Sequence, residues 1–206
     1  MTNPPIDPLR EGLVMSLEMR LGKRGNLLNP YAGDYRQMLL PSPVLLEKEL
    51  EAIVEHAPLA PKTFDLHYEA GNADALQAAV QALCEQVEAA VREGCQVVVL
   101  SDRLAPSDLA LELPPIPALL ATGAVHHSLI KAGLRTETSI VVETAQCFST
   151  HHAAVLVGYG AHAVCPWLAL ESCRQWRMSS RTQALVSTGK VHHLVVDFFI
   201  VLVTMF

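Results

Sequence analysis

The chain has 206 residues, half of them hydrophobic and 17% charged, with a formal net charge of −6. That suits one domain with a real core, and an acidic balance without a Lys/Arg run excludes a nucleic-acid-binding face. The apolar excess is high for a free-standing domain and points to surface meant for neighbouring protein.

The first element is a stiff entry. Pro4, Pro5 and Pro8 fix φ and forbid regular structure, while Pro8 suits the first turn of a helix. Asp7 stands where an N-cap acceptor belongs, and Glu11 lies near the reach-back position of a capping box. Leu9, Leu13, Val14 and Leu17 then follow at helical spacing. Met1 runs straight into this segment, so no signal or transit peptide is read at the start.

A loop holding Gly22, Gly25, Pro30 and Gly33 follows, and residues 39–44 lead into a helical pattern over 46–56. Residues 63–68 read as a strand. Asn72 or Asp74 is placed to cap a long helix whose stripe is Leu76, Val80, Leu83, Val87 and Val91, stopping at Gly94. Val97 to Leu100 is a continuous β-branched and apolar run, as expected of a strand covered on both faces. A helix over 116–132 stops at Gly133, and Ser139 to Glu143 is the next buried strand. Helical spacing returns over 146–157, before Gly158 and Gly160. Ala163 to Cys165 makes a third short strand, and Pro166 opens a helix toward Trp176. Residues 194–206 are almost wholly apolar but fall short of the roughly 20 that a spanning helix needs.

Strand and helix alternate at βα spacing. The expected fold is therefore α/β: a parallel βα-repeat sheet, open or a partial barrel, covered by helices. The carboxyl ends of its strands share one rim, where Asp102, Glu143 and Pro166 would meet.

Several patterns invite chemistry. Residues 158–163 fit the loose dinucleotide pattern G-x-G-x-x-A, but helix precedes and strand follows, the reverse of what that site requires, so Gly160 is read as a helix stop. The pairs His126-His127, His151-His152 and His192-His193 are adjacent, so their rings point about 100° apart on a helix, which suits packing better than a metal. Asp102 and Glu143 sit at strand ends, where a general acid or base belongs. Either is equally placed to pair with Arg103 or Arg135, or to cap a helix. Cys147 and His151, spaced i and i+4, form a possible Cys-His dyad, with no signature for an oriented base or an oxyanion hole. Five cysteines without a C-x-x-C pair read as reduced, buried thiols in a reducing compartment. No catalytic, cofactor-binding or metal set is assigned.

The strings themselves resemble a known family. Residues 2–18 and 22–28, the stretches 39–44 and 100–103, the block 116–127 with Gly133-Leu134-Arg135, and His151-His152 with 156–161 are all similar to the central domain of glutamate synthases. Residues 144–151 and 171–177 look more like the ferredoxin-dependent branch than the NADPH-dependent one. The resemblance runs from residue 2 to about 190. It implies a domain at 1–190 (an entry segment at 1–45 and an α/β core at 46–190), with an unmatched apolar tail at 191–206 expected from a fragment whose end comes from an intron or a shifted frame.

The likeness also implies a role. The family's full polypeptide makes glutamate from glutamine and 2-oxoglutarate. An amidotransferase domain frees ammonia, and a tunnel delivers it to an FMN barrel with an iron–sulfur cluster. The central domain joins the two, binds neither cofactor, and helps to wall the tunnel; the matching residues are Thr2, Asn3 and Ile6. Amidotransferase and FMN domains, with ferredoxin for the full enzyme, are the implied partners, and the cytoplasm or plastid stroma the implied place; neither membrane nor nucleic acid is expected. The alternatives are a stand-alone docking module for separate subunits, or a small flavin-type oxidoreductase working through Asp102 and Glu143.

Overall fold

The computed structural model describes residues 16–24, 28, 37–103 and 113–178. The Pro-rich entry with Thr2, Asn3 and Ile6, most of the helix read from Leu9, and the tail at 191–206 lie outside the described residues.

The centre is a four-stranded sheet of β3 (Lys62–Asp65), β4 (Val97–Ser101), β5 (Ser139–Glu143) and β6 (Ala163–Cys165), parallel throughout and in sequence order. The crossovers α2 (Ala75–Arg92), α3 (Ala118–Lys131) and α4 (Thr150–Gly158) pack on one face. Strands that add in one direction through right-handed crossovers put every connecting helix on the same side. The sheet is not closed, so of the two expected forms the open one is found.

Alternate residues along β4 separate the two cores. Val98 and Leu100 join Leu83, Val87, Val125 and Leu129 beneath the crossover helices. Val97 and Val99 face the other way, against Leu50 and Ile53 of α1 (Glu47–Val54) and Leu170 of α5 (Trp167–Met178). Burial on both faces is why β4 is β-branched or apolar from Val97 through Leu100 rather than alternating.

An antiparallel pair, β1 (Met19–Leu21) with β2 (Met38–Leu40), completes the second face. No periodicity foretold it, because strands of three residues are too short to show a period. It leads to the amino ends of the sheet: Gly22 N donates to Ser139 Oγ at 3.0 Å, and Arg24 N to the Thr136 carbonyl at 2.8 Å. The β6 edge is covered by residues 43–45, with Leu45 N donating to the Val164 carbonyl and Val164 N to that of Pro43. Proline is tolerated there because an edge position does not need its missing N–H.

The glycine stops are where the sequence placed them. Gly94, Gly133 and Gly160 all have positive φ directly after a helix. The caps differ: Asp74 precedes α2 without a side-chain bond, and Asn72 Oδ1 instead accepts from Asp74 N at 3.0 Å. The strand expected over 63–68 ends at Asp65. Beyond it Leu66 still bonds Ser101, while Tyr68 N turns to the Pro114 carbonyl.

Candidate functional site

Asp102, Glu143 and Pro166 do share the carboxyl rim, since Ser101 pairs with Glu143 and Glu143 with Cys165. Asp102 is 5% exposed. Its carboxylate accepts from Thr144 Oγ1 at 2.6 Å, from Ala145 N at 2.9 Å and from Trp167 Nε1 at 2.9 Å. Three donors from two elements satisfy most of its lone pairs, and this is what makes a buried carboxylate tolerable.

Glu143 is tied in a different way. Ser101 Oγ donates to its Oε2 at 2.7 Å, and Arg103 Nη1 lies 3.3 Å from its Oε1. Of the partners left open by the sequence, Arg103 is the one used. Arg103 also stacks 5.5 Å from the Trp167 ring and reaches Glu47 at 3.9 Å. Glu47 is held chiefly by Arg174, whose hydrogen bonds keep its carboxyl below the usual range despite partial burial. The rim is thus an alternation of two glutamates and two arginines around an Asp–Trp hydrogen bond. Both acids proposed for proton transfer are occupied in joining β4, β5, α1 and α5. Nothing local in the sequence signals Trp167, Thr144, Glu47 or Arg174 as partners.

Cys147 and His151 are not on one helix. Ser149 caps α4 by accepting from His152 N, so the helix begins at Thr150 rather than 146, and Cys147 lies in the turn before it. The thiol is buried, which pushes its pKa up to about 11, the opposite of what a nucleophile requires. His152 accepts from Phe148 N at 3.4 Å and meets the Phe148 ring edge-on. Gln146, also expected in the helix, accepts from Ala118 N at the start of α3. A cavity of about 240 Å³ lies between the two helix starts, bordered by Leu119, Gln146, His151 and Val155.

The opposite rim holds a basic cluster. Arg135 does not pair with either acid. It donates to His126 Nδ1 at 2.8 Å and to the carbonyls of Thr138 and Gly160 at 2.9 and 2.7 Å. Since His126 Nδ1 accepts, that imidazole is neutral. Burial foremost, then Arg135 and His127, lower its pKa. His162, missed in the sequence as a lone histidine, is 4% exposed and takes Ile140 N on Nδ1 at 3.2 Å. Burial, reinforced by Arg135, Arg24 and His126, lowers its pKa to about 3. His192 and His193 lie outside the described residues. Gly160 closes α4 with φ +117°, and a Cβ there would run into the His126 ring, so its backbone is shut against any phosphate.

The family model described as the glutamate synthase central domain matches residues 1–197. A chloroplastic ferredoxin-dependent glutamate synthase of Spinacia oleracea is 54% identical over 200 residues, covering 95% of this chain and 12% of that protein. Ferredoxin-dependent glutamate synthase 1 of Arabidopsis thaliana is 52% identical over 199 residues, with the same coverage. Ferredoxin-dependent glutamate synthase 2 of Synechocystis is 50% identical over 193 residues, again 12% of that protein. The chain therefore spans about an eighth of the length of these relatives.

Proposed function

This chain belongs to the glutamate synthase central-domain family, and we propose that it acts as the connecting domain of a ferredoxin-dependent enzyme, holding no complete active site of its own. The observation that carries this reading is the collinear match over residues 1–197. The longer polypeptide makes glutamate from glutamine and 2-oxoglutarate, with amidotransferase and FMN domains on either side and ferredoxin as electron donor. Plastid stroma or a cyanobacterial-type cytoplasm is the fitting location, given the chloroplastic and cyanobacterial relatives.

The residues described do not fit the cofactors of such an enzyme. An iron–sulfur cluster is held by several converging cysteine thiolates. Among the described residues no three His, Cys, Asp or Glu side chains converge on a metal position. The glycine turn at Gly158–Gly160, which fits a loose phosphate-binding pattern, follows a helix instead of opening one, and a Cβ at Gly160 would meet the His126 ring. In this proposal FMN and the cluster belong to other parts of the longer polypeptide.

Thr2, Asn3 and Ile6 are proposed as tunnel wall. Pro4, Pro5 and Pro8 restrict the φ angles open to that segment, and Thr2 and Asn3 carry polar atoms suited to ammonia.

Replacing the matching segment of the Spinacia oleracea enzyme with this chain tests the assignment. Glutamine- and ferredoxin-dependent glutamate formation is expected from the chimera and none from the chain alone. A folded but inactive chimera, or an active isolated chain, overturns it. Ile6→Trp in the chimera should release ammonia while glutamate formation falls; unchanged coupling would remove Ile6 from the wall.

A further inference from the structure

The cavity between the starts of α3 and α4 takes no part in the contacts that join the carboxyl rim. Its volume of about 240 Å³ exceeds the roughly 150 Å³ that encloses a benzene ring, and falls short of the roughly 300–1,000 Å³ of a drug-sized site. Its floor is apolar, made by the buried Ala118 and Leu156, with Leu119 and Val155 as walls. Gln146, His151 and His152 supply the polar part of its border. Gln146 Oε1 accepts from Ala118 N at 3.0 Å, which orients the amide and leaves its NH₂ group to serve another acceptor. His152 Nδ1 accepts from Phe148 N, so its proton sits on Nε2, and the edge-on Phe148 ring holds the imidazole in place. His151 lies 6.2 Å from His152 between ring centroids, and its ring nitrogens bond no other described residue. The cavity thus joins N–H donors to an apolar floor, with no carboxylate on its border. Glu88 does reach α3, but at Ser128, about 15 Å along the helix axis from Ala118.

We propose that this cavity binds a small monocarboxylate whose apolar body is about the size of one six-membered ring. The body displaces water from Leu119, Val155 and Leu156, and the carboxylate accepts from Gln146 Nε2 and His152 Nε2. Both halves of such a ligand are needed. An ionised acceptor makes hydrogen bonds roughly twice as strong as a neutral one, so an uncharged molecule of the same shape loses the polar end. A carboxylate without a body covers no apolar surface and loses the floor. The site is separate from the connecting role and makes no use of the tunnel-wall residues.

Titrating benzoate into the 206-residue chain, with nitrogen-edited NMR of the Gln146 side-chain amide and the His152 ring, tests this. Saturable shifts at both groups are expected, with a Kd on the order of 1 mM for so small a ligand. Benzyl alcohol, which keeps the ring without the charge, and acetate, which keeps the charge without the ring, should each bind about tenfold more weakly or worse. Gln146→Glu retains an oxygen for Ala118 N but replaces the NH₂ donors with a negative charge. It should keep the parent's Tm and lose benzoate binding by about tenfold or more. Val155→Trp fills the cavity and should lose benzoate and benzyl alcohol alike. The absence of a saturable shift with both benzoate and the branched 4-methylpentanoate overturns the proposal. An equal response to acetate, or undiminished benzoate binding in either folded variant, overturns it as well.

Discussion

Trp167 donates its indole N–H to Asp102 across 65 positions of sequence, at 2.9 Å, and the same ring lies beneath the Arg103 guanidinium at 5.5 Å. One side chain at the start of α5 thus fastens that helix to the end of β4. Removing the carboxylate in Asp102→Ala strands the Thr144 hydroxyl, the Ala145 amide and the indole together. It should cost about 3 kcal/mol, against about 1 kcal/mol for Trp167→Phe, which strands no donor. Urea unfolding followed by circular dichroism measures both. Equal costs would mean that Thr144 and Ala145 find other acceptors.

Gly160 carries two constraints at once, a φ of +117° and the His126 ring where a side chain would begin. Gly160→Ala should therefore lose about 2 kcal/mol or more of stability. Gly94→Ala is strained in φ but meets nothing within 4 Å, and should lose less. Thermal unfolding of the two variants separates the packing cost from the backbone cost. If the two losses match, the His126 ring yields freely.

The contrast between those glycines shows what the sequence could and could not disclose. That Gly94, Gly133 and Gly160 end helices follows from local chemistry, since glycine alone takes positive φ without cost. The buried strands at Val97 and Ser139 are likewise visible as unbroken apolar runs. The collision between Gly160 and His126 is not, because it joins residues 34 positions apart. The same holds for Asp102, whose residue type fits a general acid equally well until Thr144 and Trp167 are brought to it. The start of α4 lies later than expected because Gln146 and Cys147 are compatible with helical spacing, whereas Ser149 caps by a bond that depends on the turn before it.

Thiol reactivity distinguishes the buried cysteines from the half-buried ones. Cys95, Cys147 and Cys165 are buried, and Cys84 and Cys173 are partly exposed. At pH 8 a disulfide reagent should modify Cys84 and Cys173 in the native chain and reach the other three only on unfolding. Burial disfavours their thiolates, most strongly at Cys165. Rapid native modification of Cys147 would revive a Cys-His dyad with His151.

Acid should weaken the fold through its buried imidazoles. His162 titrates near 3 when folded and near 6.5 when exposed, so the unfolded chain binds the extra proton anywhere between those values. The stability that neutral His162 provides is complete above about pH 6.5 and declines as pH falls toward 3, by up to about 1.4 kcal/mol per pH unit. His126 is shifted the same way and adds to the slope. In His162→Gln an amide oxygen can still accept from Ile140 N but no longer titrates. Its stability, measured by urea unfolding from pH 7 to 4, should fall less steeply than that of the parent chain, with the residual slope left to His126 and the carboxylates. An unchanged slope would mean that His162 is protonated in the folded state, with Arg24 and Arg135 moved aside to admit the charge.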